Sequence, residues 1–81
     1  MNESVDWRDI KYNKTFEQEI LALQNRRNHD PHCTVEDLEG VLKDLYIMSG
    51  SDLGEIMNLS LAAAIAAYEH FIAQWKAERS N

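Results

Sequence analysis

The sequence predicts an all-α fold: three helices forming one domain over residues 1–81, with a second copy completing a dimeric helical bundle. Three observations predict it. Apolar side chains recur at three- and four-residue spacing in three separate runs. The single proline, Pro31, and two of the three glycines, Gly50 and Gly54, stand between those runs. Side chains that cap helix N-termini stand near the start of each run.

The first run is the least defined. Val5, Trp7, Ile10 and Tyr12 fit either an arm over residues 1–14 or an extension of the first helix. Thr15, followed three residues later by Gln18, has the form of a capping box. Phe16, Ile20 and Leu23 then carry a helix to Arg26 and Arg27, cations that suit the negative end of a helix dipole. The spacing predicts a helix covering at least 16–27, with one long helix from about Val5 as the alternative.

Asn28-His29-Asp30-Pro31 reads as a turn, because proline lacks a backbone donor and disfavours helical geometry in the residue before it. Thr34 is expected to cap the second helix, with Glu36 and Asp37 in its first turn. Val35, Leu38, Leu42 and Leu45 make its apolar stripe, flanked by Val41 and Met48. Gly40 costs that helix about 1 kcal/mol relative to alanine. Close approach of a neighbour is one reason for a glycine there. Gly50 suits a left-handed C-terminal cap.

Asp52, with Glu55 three residues on, is expected to open the third helix, which runs unbroken from Ile56 to Ala77. Met57, Leu61, Ala64 or Ile65, Tyr68, Ile72 and Trp75 form one stripe, and Ile56, Leu59, Ala63, Ala67 and Phe71 a second. A helix this apolar around its circumference should be covered on more than one side. Glu55, Asn58, Glu69 and His70 interrupt it short of the ~20 apolar residues of a bilayer span, so no membrane partner is expected. Two flanking helices cover only part of a third. A second copy is therefore expected to pack on Ala63, Ala66, Ala67, His70, Phe71 and Trp75, where small residues permit close approach.

Charge and cysteine content narrow the function. The net charge is −6. Residues 34–55 carry Glu36, Asp37, Glu39, Asp44, Asp52 and Glu55 against Lys43 alone, a surplus of five acids. Direct nucleic-acid binding, which needs clustered lysine and arginine, is disfavoured. The second helix would present Glu36, Glu39 and Asp44, beside Lys43, as an acidic patch toward a basic protein partner. One cysteine, Cys33, rules out an internal disulfide and fits a reducing compartment. The acidic, polar N-terminus lacks the pattern of a secretory signal, and the expected location is cytoplasmic.

The one cluster of chemically capable side chains is His29-Asp30-Pro31-His32-Cys33. Imidazole and thiolate are zinc ligands, so His29, His32 and Cys33 are the candidate metal residues, although zinc sequences normally carry two spaced ligand pairs. A polar interhelical turn accounts for the same residues without a metal. No phosphate-binding glycine loop, calcium loop or metalloprotease motif occurs. No catalytic residue and no cofactor are expected, and the chain reads as a non-enzyme.

Leu45-Tyr46-Ile47, the turn with Gly50 and Asp52, and the stretch from Ala63-Ala64-Ile65-Ala66-Ala67 through Tyr68-Glu69-His70-Phe71-Ile72-Ala73-Gln74-Trp75 resemble small uncharacterised bacterial all-helical proteins. The resemblance covers the C-terminal half. It implies an all-helical fold and no particular activity. Those relatives carry a longer turn with an arginine, and Ser51-Asp52-Leu53-Gly54-Glu55 lacks it. The sequence as a whole predicts a helical protein-interaction or regulatory module that acts by presenting a surface. The alternatives are a metal-binding regulator using the 29–33 turn and an acidic inhibitor of a basic nucleic-acid-binding protein.

Overall fold

A computed structural model describes residues 6–51 and 53–80. The described residues form three helices and no strand: α1 (Trp7–His29), α2 (Val35–Ser49) and α3 (Glu55–Ser80). The long-helix alternative for the first element is the one observed. Asp6 is its N-cap, and the side chain accepts a hydrogen bond from the Arg8 backbone N–H at 3.0 Å. Thr15 therefore lies inside α1 and caps nothing; no breaker stands between Trp7 and His29 to stop the helix once Asp6 has started it. Val5, where the alternative placed the start, lies outside the described residues, as do Asp52 and its proposed cap.

α2 begins as expected. The Thr34 hydroxyl accepts from the Asp37 N–H at 3.1 Å and the Asp37 carboxylate accepts from the Thr34 N–H at 3.3 Å, a reciprocal capping box. Gly50 departs from expectation: its φ is −77°, in the right-handed region, and its N–H donates to the Ile47 carbonyl. The left-handed residue is Gly54, with φ 91°, which turns the chain into α3 and accepts from the Asn58 N–H at 2.9 Å. A Cβ on Gly40 would meet nothing within 4 Å, so no close neighbour accounts for that glycine.

α3 is the centre of the molecule, with α1 along one side and α2 along the other. The backbones of α1 and α2 approach each other nowhere within 8 Å. Ion pairs show the directions. Arg8 meets Glu55 at 2.6 Å and Arg27 meets Glu78 at 2.8 Å, so α1 runs parallel to α3. Glu36 faces Arg79, Glu39 faces Lys76 and Tyr46 bonds to Glu69, so each step forward along α2 is a step back along α3. The result is an up-down-up arrangement of 46 × 30 × 22 Å.

The main buried cluster sits at one end, where the close of α1, the 30–34 turn, the start of α2 and the close of α3 meet. Leu23, Cys33, Val35, Leu38, Phe71 and Ile72 form it, with Ile20, Leu42, Tyr68 and Trp75 packed around. Leu38 and Val35 are sealed from solvent, as core positions of α2 should be.

Candidate functional site

The 29–33 turn does not bring its three candidate ligands together: two face solvent and one the core. His29 and His32 are exposed, whereas Cys33 is buried in the core cluster. Among the described residues no group of three or more histidine, cysteine or acidic side chains is placed to hold a metal ion. The geometry instead serves the turn. The Asp30 carboxylate accepts from the His32 N–H at 2.9 Å, and its carbonyl accepts from the Cys33 N–H at 3.1 Å. These bonds reverse the chain and direct the Cys33 thiol inward, away from both imidazoles.

The residues expected to meet a second copy are largely covered from within. Ala63 and Ala67 have no exposed surface and Phe71 is 6% exposed. Helical periodicity places Ala63 and Ala67 on the flank of α3 that also carries His70 and Glu78. Both of those touch α1: the His70 ring lies 6.0 Å from Phe16, and Glu78 pairs with Arg27. The two alanines thus permit the close approach of α1 within the chain. Trp75 is half-buried, edge-on to Phe71 at 6.0 Å, with the Arg27 guanidinium 4.2 Å from the centre of its ring. Ala66 is partly exposed and His70 exposed.

The acidic patch on α2 is partly neutralised by α3. Glu39 accepts from Lys76 at 2.6 Å and Glu36 lies 3.7 Å from Arg79. Asp37 caps its own helix. Asp44 remains, exposed and, like its neighbour Lys43, without an ion-pair or hydrogen-bond partner among the described residues. At the far end of α3, Arg27 holds the Glu78 carboxyl below its ordinary range, chiefly through the hydrogen bond between them. The Tyr46 phenol is pushed up, first by its bond to Glu69. Half-burial and then nearby Glu19 raise the Tyr68 phenol. Arg27 and Glu78 share an open groove of about 320 Å³ between α1 and α3, which Tyr46 and Tyr68 do not line.

A series of exposed apolar side chains between the end of α2 and the start of α3 was not singled out by sequence reasoning. The elbow joining α2 to α3 exposes Tyr46 (46%), Ile47 (66%), Met48 (46%), Leu53 (38%), Ile56 (57%) and Met57 (56%). From 45 to 51 the chain has no charged residue. That absence was the available signal, but a charge-free helix end also fits a buried one. A second exposed stripe runs along the outer side of α1, where Trp7, Ile10 and Leu21 are about half exposed. It is interrupted by Lys14, and the open groove of about 440 Å³ beside Trp7, Ile10 and Lys14 is walled by α1 alone. α3 is long and apolar enough to cross a membrane by length and composition; here it is the helix on which both others pack.

Comparison with family models, curated proteins and solved structures finds no match to this chain.

Proposed function

We propose that this chain is a non-enzymatic helical module that works by protein–protein contact, with a second copy of itself as its first partner. One observation carries the proposal: six large apolar side chains stand open to solvent at the α2–α3 elbow, each more than a third exposed. Apolar surface removed from water by contact with another chain stabilises that contact by about 25 cal/mol per Å². A further support is how several of the chain's charged groups are used: they cap helices or pair between them, as in Arg8–Glu55 and Lys76–Glu39.

The test is light scattering coupled to size exclusion over a dilution series from about 1 μM to about 1 mM, the range of moderate self-association. The expected result is a mass that rises from one copy toward two across that range. A mass of one copy throughout refutes the proposal.

A further inference from the structure

We infer that the outer face of α1 pairs antiparallel with α1 of a second copy, in the register that sets Lys14 of each chain against Glu17 of the other. The inference rests on the self-association proposed above and adds where the two copies meet and what orients them.

The face is continuous because a single helix carries it. Trp7, Ile10, Lys14, Glu17, Leu21 and Gln24 alternate at three- and four-residue spacing, the heptad pattern of a helix-pairing seam. All six are exposed. Its large apolar members are Trp7 (48%), Ile10 (54%) and Leu21 (59%). The opposite side of the same helix packs inward: Leu23 belongs to the core cluster, Phe16 lies against His70 and Arg27 pairs with Glu78. The backbone of α2 stays more than 8 Å from α1, so the seam is clear of it.

The order of the six selects both the occupant and the register. A two-fold axis crossing α1 midway between Thr15 and Phe16 sets Ile10 level with Leu21 of the other chain, Lys14 with Glu17, and Trp7 with Gln24. Sliding one heptad either way sets a charge against an apolar side chain, Lys14 on Ile10 or Glu17 on Leu21. A parallel pair stacks Lys14 on Lys14 and Glu17 on Glu17. Neither of these two side chains has an ion-pair or hydrogen-bond partner among the described residues. The seam therefore calls for a helix with an acid opposite Lys14, a base opposite Glu17 and apolar groups opposite Ile10 and Leu21. Run backwards, α1 is that helix. The charged layer that interrupts the stripe in one chain thus fixes the register of two, at a cost in stability.

Two experiments decide it. The first is disulfide trapping. Chains carrying Ile10→Cys and chains carrying Leu21→Cys, mixed at about 100 μM under mild oxidation, should link to each other. Neither should link to its own kind at the substituted position, since like positions lie about 16 Å apart along the paired helices. Peptide mass mapping separates these links from any made by Cys33. The second is the dilution series. Lys14→Glu and Glu17→Lys should each weaken self-association about 10-fold or more, because like charges then face each other in both charged layers. A mixture of the two should pair as tightly as wild type, with two acids of one chain against two bases of the other. Helical content should stay unchanged, because both positions are exposed. A wild-type chain that keeps the mass of one copy overturns self-association itself. A dimer in which Ile10→Cys chains link to one another, or charge variants that do not rescue each other on mixing, overturns only the α1 seam. Flotation of the wild-type chain, but not of Leu21→Asp, with phosphatidylcholine–phosphatidylserine vesicles also overturns it, by assigning the stripe to a lipid surface.

Discussion

Enlarging Ala67 should damage the fold, whereas the same enlargement at Ala62 should not. Both alanines belong to the small-residue run of α3, but Ala67 has no exposed surface and Ala62 is exposed. Leucine adds three carbons. At Ala67 those atoms would enter the seam where α1 lies against α3, and they have no free volume to occupy. Overpacking of this kind costs about 1–3 kcal/mol. At about 2 kcal/mol, a domain of this size loses about 8–16 °C in Tm. Its urea midpoint falls by about 2 M if the denaturant slope is about 1 kcal/mol per M. Ala62→Leu should stay within about 0.5 kcal/mol of wild type, since an exposed substitution between two good helix formers disturbs little. Urea unfolding followed by circular dichroism at 222 nm, with all three chains at the same low-micromolar concentration, reads both values. Equal losses at the two positions, or the larger loss at Ala62, would mean that α3 presents a different face to α1. The account of the covered alanines would then be wrong.

Leu38→Ala should cost about 2–5 kcal/mol, because Leu38 has no exposed surface and its removal leaves a cavity in the core cluster; the urea midpoint measures it. The Glu78 carboxyl is held below its ordinary 4.5 by Arg27, so its contribution is present above that value and is lost as pH falls through the lowered one; Arg27→Met should flatten that part of an acid-unfolding curve. Cys33, 8% exposed in the core cluster, should react slowly with a thiol reagent such as 5,5′-dithiobis(2-nitrobenzoic acid) in the native chain and rapidly in urea. Equal rates in the two conditions would place the thiol at the surface.

The elements that could be read from sequence are those whose signals are local. Thr34 and Asp37 start α2 through bonds three residues apart, and Pro31 ends the preceding helix regardless of the tertiary structure. Where two local signals competed, sequence reasoning chose badly. Thr15 and Gln18 have capping form but lie within α1, because Asp6 supplies an earlier cap and the helix simply continues. Gly50 and Gly54 both suit a left-handed turn, and only Gly54 takes it. The rotation of α3 was not legible. Its two apolar stripes are nearly equal in composition, so which alanines are covered depends on how α1 and α2 dock. That docking brings together residues far apart in sequence, such as Leu23, Val35 and Phe71 in the core and Arg27 with Glu78 at its edge, which no local spacing reveals.

The same docking explains why the elbow stays open. The turn at 30–34 draws α1, α2 and α3 together at the core end, where Leu23, Val35, Leu38 and Phe71 meet. From there α1 and α2 follow opposite flanks of α3 and never approach each other's backbone within 8 Å. In the register of Glu36 with Arg79, Glu39 with Lys76 and Tyr46 with Glu69, α2 ends near the middle of α3, and the first turns of α3 extend past it. Ile56 and Met57 therefore lie beyond the cover that α2 gives to α3. The apolar elbow is thus a consequence of the packing that buries the core. The two ends of α2 should therefore respond differently to substitution: Leu38 is sealed in the core cluster and its loss should act on stability, whereas Ile47, 66% exposed, should accept a polar residue with helical content unchanged.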